Sequence, residues 1–240
     1  MRIAALTCRS FYSLLRAAVA VPRWVEKAAA YGYGAVALAD VNCMAGVVDL
    51  CQAAEKAGVR PIVGVEILTD RQRAILLAED ERGYRNLCRL TTARNLIPGF
   101  DLLEQLRIDS RGVVGIGTGP KPTEELREVL PCGSLFAGCR DPEDVEQAVA
   151  RGLEPIVWAG ANWLENEDIE IAKLLTRIRQ LSVAGAGPAS VREKGGIVKA
   201  GGPWRWSDAR EIRHRQAPKR VPNRDESRLG AQTPLDDATQ

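Results

Sequence analysis

The feature that most restricts this chain is a recurrence. Over residues 1–181, apolar runs of strand length alternate with amphipathic stretches of helical period, at a spacing of roughly 20–30 residues that marks repeated βαβ units. The strand-like runs are Arg2–Leu6, Ala35–Ala39, Pro61–Leu68, Arg73–Ala78, Val113–Gly117, Ser134–Ala137 and Pro155–Ala159. Helical patterns fall between them. Pro22–Tyr31 opens on a proline and spaces Trp24, Val25 and Ala28 along one face. Gly46–Ala57 stops at Gly58, the residue type that ends helices most readily. Glu81–Arg94, Pro122–Leu130, Asp141–Arg151 and Asn166–Arg179 complete the set. The expectation is an α/β fold on a mostly parallel sheet, and periodicity leaves open whether that sheet closes into a barrel.

The pattern ends at Leu181. Residues 182–202 are rich in Gly and Ala without a sustained period, and 203–240 are rich in Arg with four scattered prolines. Such a segment offers little apolar surface to offset its ordering entropy. The expected organisation is therefore a folded domain over 1–181 and a flexible, disordered Gly/Pro/Arg-rich tail over 182–240.

Charge is nearly balanced, 33 Lys/Arg against 31 Asp/Glu, so no global field points to nucleic acid or membrane. The tail differs, with 11 basic and 7 acidic residues in 182–240. Arg210, Arg213, Arg215, Lys219, Arg220 and Arg224 are its candidate nucleic-acid contacts, supporting at most weak, salt-dependent, sequence-blind DNA binding. No apolar run is long enough to span a membrane and no leader pattern opens the chain, so a cytoplasmic protein without membrane contact is expected. Six cysteines without a C-x-x-C pair read as small buried hydrophobes. There is a single histidine, His214, and it lies in the tail. A histidine-dominated metal site has nothing to be built from inside the domain.

Three short stretches carry a stronger signal. Leu6-Thr7-Cys8-Arg9-Ser10-Phe11-Tyr12-Ser13-Leu14-Leu15 follows the first strand, Leu38-Ala39-Asp40 ends the second, and Gly64-Val65-Glu66 lies in the third. Their spacing resembles the PHP (polymerase and histidinol phosphatase) domain at the N-terminus of bacterial DNA polymerase III alpha subunits, most of all the error-prone branch. Ala54-Glu55-Lys56-Ala57-Gly58-Val59-Arg60-Pro61-Ile62-Val63-Gly64 and Gly83-Tyr84-Arg85-Asn86-Leu87-Cys88-Arg89-Leu90 extend the resemblance to residue 94. Pro155–Leu164 resembles the family's final strand and loop. The resemblance implies a distorted seven-stranded β/α barrel, with chemistry at the C-terminal strand ends.

It also implies which positions an active member would use to hold divalent metals: Thr7 and Arg9 at two histidine positions, Asp40 and Val41 after the second strand, Glu66 in the third, Gly160 and Asn162 in the closing loop. Here Thr7, Arg9, Val41 and Gly160 bring no ordinary ligand, which leaves Asp40 and Glu66 as weak metal candidates. Arg9 is a permanent cation that repels a metal and can pair with Asp40 or Glu66 instead. No cofactor is expected, divalent metal included, and no catalytic residue is assigned. Ser10, Tyr12 and Ser13 look like positions that maintain the family's fold. Gly115–Lys121 suggests a phosphate cradle but lacks the G-K-[ST] ending, and Pro120 removes a donor.

The leading reading is a stand-alone degenerate PHP domain, a pseudoenzyme serving as scaffold or interaction module in DNA replication or translesion repair. Its partners would be a DNA polymerase body or repair proteins. The alternatives are an N-terminal fragment of an error-prone polymerase lacking its palm, and a weak metal-dependent phosphoesterase.

Overall fold

In the computed structural model, residues 4–157 and 162–184 are described. They build a mixed α/β domain on one seven-stranded sheet. In chain order the elements are β1 (Ala4–Cys8), α1 (Val21–Ala30), β2 (Ala35–Val41), α2 (Val47–Ala57), β3 (Arg60–Leu68), β4 (Arg73–Ala78) and α3 (Glu81–Leu96). Then come α4 (Leu102–Ile108), β5 (Val113–Gly117), α5 (Pro120–Arg127), β6 (Leu135–Cys139), α6 (Pro142–Ala150), β7 (Glu154–Val157) and α7 (Asn166–Ala184). All seven expected strands form, each within two residues of those expected ends that are described; the expected ends Arg2 and Ala159 lie outside the described residues. The last helix continues to Ala184, three residues past the expected domain boundary.

Strand order in the sheet equals order in the chain, β1 to β7. All neighbouring pairs are parallel except β3–β4 and β4–β5. The reversal has a simple cause: parallel neighbours need a crossover of about a dozen residues or more, and only Thr69–Gln72 separate β3 from β4. The Thr69 hydroxyl accepts the backbone N–H of Gln72 at 2.8 Å and closes that turn. Among the described residues no ladder joins β7 to β1. The described strands form a curled half-barrel.

Alternation along the strands divides the core in two. Val65, Ile67, Ala74 and Leu76 face Leu87, Leu90, Leu102 and Leu106, the buried sides of α3 and α4. The other face packs Ala37, Ala39, Ile75, Leu77 and Ile116 inside the curl, with Leu6, Ile62, Val114 and Ile156 against them. Truncating a leucine such as Leu87 to alanine removes atoms from the first cluster and costs about 2–5 kcal/mol. Three helices start on aspartates whose carboxylates accept a first-turn N–H: Asp80 from Gly83, Asp101 from Glu104 and Asp141 from Asp144. Each cap contributes about 1 kcal/mol. Gly58 ends α2 at φ 66°, a backbone conformation that strains residues with a Cβ. Gly83 lets the start of α3 press on the Gly112 carbonyl, where an added Cβ would sit at 1.8 Å.

Candidate functional site

The C-terminal ends of the parallel strands gather at one mouth of the half-barrel. Because β4 runs the other way, its first residues arrive at the same end. Val41 of β2, Glu66 of β3 and Ile75 of β4 are register partners and share the inner face. Glu66 is 1% exposed and stands at the mouth end of the inner apolar cluster.

Its carboxylate is held from both sides. Arg9, immediately after β1, donates from Nε to Oε2 at 2.6 Å and places its Nη2 on the same oxygen. Arg73, at the start of β4, donates from Nε to Oε1 at 2.7 Å. Arg9 also donates from Nη1 to Oδ1 of Asn162 at 2.8 Å, linking the β1 end to the loop before α7. The arginine is fixed from behind, since the indole N–H of buried Trp24 donates to the Arg9 carbonyl at 2.8 Å. The loop bearing Asn162 is fixed in turn by Asp168. That carboxylate accepts Leu164 N, Glu165 N and an Arg23 guanidinium N–H, and Lys27–Glu165 adds a second tie to α1. Burial alone would raise the Asp168 pKa, but the Arg23 hydrogen bond and the two backbone donors hold it below the ordinary carboxylate value.

Asp40 takes no part in this network. Its register partner is Val65, one step out of phase with Glu66, which directs it to the opposite face of the sheet. There Oδ1 accepts the Ser10 N–H at 2.7 Å and the Ser13 hydroxyl at 2.6 Å, while Oδ2 accepts the Ser10 hydroxyl at 2.7 Å. Ser13 Oγ then accepts the Val41 N–H at 3.0 Å. Burial raises the Asp40 pKa; the two serines and the Arg9 charge oppose that without cancelling it. Tyr12, between the serines, donates its hydroxyl to Asp49 at 3.0 Å.

The expected site positions thus separate into groups. Arg9, Glu66 and Asn162 come together, and Thr7 is buried in β1, two residues before Arg9. Val41 faces the mouth with an aliphatic side chain. Asp40 is on the other side of the sheet, so it and Glu66 do not converge as a carboxylate pair, and Arg9 is bonded to Glu66 and not to Asp40. Gly160 and the tail cations Arg210, Arg213, Arg215, Lys219, Arg220 and Arg224 lie outside the described residues. Two participants went unread in the sequence. Arg73 is signalled by the four-residue connection that brings β4 back to the mouth. Arg140 directly follows β6, whose expected end at Ala137 fell two residues short.

Residues 5–113 match the family model described as the PHP domain. Over that stretch the chain resembles a PHP domain. Over 90 residues, 37% of this chain and 9% of the relative, it is 44% identical to an error-prone DNA polymerase of Pseudomonas aeruginosa. An error-prone DNA polymerase of Anaeromyxobacter dehalogenans is 39% identical over 146 residues, 58% of this chain and 11% of that one. The DNA polymerase III subunit alpha of Chlamydia muridarum is 34% identical over 102 residues, 36% and 8% of the two chains. The chain therefore spans about a tenth of the length of the curated relatives it matches. Among solved structures, a two-domain protein from Bacteroides vulgatus containing a predicted PHP-like metal-dependent phosphoesterase superposes with a TM-score of 0.50. Identity is 15%, covering 66% of this chain and 51% of that one, a likeness of fold alone.

The fold family implies metals at this mouth, and the residues present do not fit them. Among the described residues Glu66 is the carboxylate held at the mouth, and two guanidinium groups already engage it. A metal approaching Glu66 would have to displace a buried arginine and then lie beside its charge. Among the described residues no group of three or more His, Cys, Asp or Glu side chains is arranged to hold a metal ion. None of their helices is long and apolar enough to cross a membrane.

Proposed function

We propose that this PHP domain is non-catalytic and acts as a scaffold or interaction module in DNA replication or translesion repair, contacting a polymerase body or repair proteins. The observation that supports this reading most is the double engagement of Glu66 by Arg9 and Arg73, which puts fixed cations where a phosphoesterase needs metal ligands. Similarity to error-prone polymerases over residues that build the sheet supports the replication or repair context. Contact with a partner then falls to the domain surface, and any weak DNA attraction to the basic residues beyond 200.

The test uses the full chain, purified without chelator. Elemental analysis should find well under one equivalent of zinc, manganese or iron, and hydrolysis of phosphate monoesters and DNA 3′ ends should stay at background with added Mn²⁺ or Zn²⁺. Two tightly held metals per chain, or turnover abolished by Glu66→Gln, would return the domain to the phosphoesterases. A second reading has its own support: the matched relatives are far longer, which favours reading this sequence as the N-terminal portion of an error-prone polymerase lacking its palm. A polymerase palm encoded in frame or immediately downstream would favour that reading.

A further inference from the structure

Helix α7 turns large apolar side chains outward. Ile171, Leu174 and Leu181 are 48%, 56% and 73% exposed, and Trp163, just ahead of the helix, is 41% exposed. The side it gives to the domain is small and polar. Asp168 and Ala172 are its buried residues among those described, and the Thr176 hydroxyl donates to the Ala172 carbonyl at 2.8 Å. Helices on a domain surface ordinarily do the reverse, burying the apolar stripe and wetting the polar one. At 3.6 residues per turn, Ile171, Leu174 and Leu181 fall within one stripe about 80° wide. Their spacing of three and then seven is that of a seam between paired helices.

The seam is flanked by opposite charge at its two ends. Glu167 and Glu170 stand in the first half of the helix and Arg177 in the second, all exposed. That order fits its own reverse. A two-fold axis passing α7 between Ala172 and Lys173 sets Ile171 against the second copy's Leu174, and Leu174 against the second copy's Ile171. The same operation brings Glu170 beside the second copy's Arg177, and turns Leu181 towards the end of the other helix that carries Trp163. Every contact then occurs twice, as a two-fold interface requires. The pair Glu170–Lys173, 2.6 Å apart within the helix, is exposed on both sides and too weak to withhold Glu170. From Trp163 to Leu181 the seam runs about 27 Å. With a helix about 10 Å wide, the two facing sides come to on the order of 500–1,000 Å², the size of a weak, reversible association.

We propose that α7 is a homodimer contact. Two copies of this chain pair their α7 helices antiparallel through Ile171, Leu174 and Leu181, and Glu170 with Arg177 sets the direction. The contact goes beyond the scaffold role proposed above and does not depend on a polymerase being present.

Sedimentation equilibrium of the full chain reads the association, over a series from about 1 to about 300 µM at low salt. A reversible monomer–dimer equilibrium with a micromolar Kd is expected, weakened about tenfold in Leu174→Glu. Leu174 is exposed, so that variant should match the parent in circular dichroism and in Tm at the lowest concentration. Glu170→Arg and Arg177→Glu should each weaken self-association about fivefold, two exposed ion pairs per dimer being lost. An equimolar mixture of those two variants should restore it, because the mixed dimer again sets opposite charges side by side. Sedimentation as a monomer throughout, or association unchanged in Leu174→Glu, would overturn the contact. Tighter association in Glu170→Arg would overturn the antiparallel geometry, since only a parallel pair places the two Glu170 side chains together. A fall in Tm for Leu174→Glu where the chain is monomeric would also overturn the proposal, by showing that the chain's own residues 185–240 cover the seam.

Discussion

Asp40 and Glu66 occupy neighbouring strands of one sheet, each 1% exposed, and the chain satisfies them in opposite ways. Glu66 faces the inside of the curl and is met by charge, one guanidinium on each oxygen. Asp40 faces outward and is met by neutral donors from the loop after β1. The contrast separates the tasks of two buried acids on neighbouring strands. Asp40 ties the Ser10–Ser13 loop to β2, and its role is local architecture. Glu66 keeps two cations in place at the mouth. An acid surrounded by hydroxyls is also easier to replace by a neutral amide than an acid surrounded by arginines.

The largest expected effect is at Glu66. Glu66→Ala leaves Arg9 buried beside Arg73 with no counter-charge, and a loss of about 3–5 kcal/mol in urea unfolding is expected. The double variant Glu66→Leu/Arg9→Met removes both charges and should recover most of that loss. If the single and double variants were equally unstable, the ion pair would not be what holds the mouth.

Asp40→Ala comes next. It strands three donors, the Ser10 N–H and the Ser10 and Ser13 hydroxyls, at about 1–3 kcal/mol for each that finds no new partner. Asp40→Asn keeps an acceptor for the Ser10 N–H and the Ser13 hydroxyl and should stay within about 1 kcal/mol of the parent. Glu66→Gln, by contrast, removes the charge that two guanidiniums need and should be the more damaging amide change. The reverse order in chemical denaturation would break the comparison between the two acids.

The smallest effect is on acid stability. The folded-state pKa of Asp40 is raised, so protonation relieves a burial cost and Asp40 does not drive acid unfolding. Asp168 and Asp101 are lowered, the former by the contacts described above, the latter chiefly by the Glu104 N–H and the Gln72 amide. Their contribution is present above the unfolded carboxylate value and is lost as pH falls through their lower folded values. Between pH 4 and 2 the stability of Asp168→Asn should decline less steeply than that of the parent, whereas Asp40→Asn should decline at least as steeply.

Much of this was legible in the sequence. Strand and helix order followed from apolar periodicity, the end of α2 from Gly58, and a pairing of Arg9 with a mouth carboxylate from charge alone. What failed was phase. A residue's face depends on strand register, and register is set by pairing with a neighbour, so Asp40 and Glu66 looked equivalent until Val41 was matched to Glu66. Arg73 was hidden by treating β4 as one more parallel strand, although its short connection excludes a crossover. Arg140 was hidden because Gly138 and Cys139 lengthen β6 beyond its obvious apolar run. The helix α4 escaped notice because seven residues with two buried leucines, Leu102 and Leu106, display only one helical repeat.

Sheet order bears on how the domain assembles. Every ladder joins strands that are consecutive in the chain, so the sheet can grow one strand at a time without waiting for distant segments. Among the described residues the longest-range hydrogen bond is Arg9–Asn162, closing a separation of 153 residues. It can form only after β7 and the following loop exist, so on a ribosome it belongs to the final stage of synthesis. Until then Glu66 has Arg73 from its own hairpin as a partner, and the nascent domain carries its buried acid with a counter-charge from the moment β4 is made.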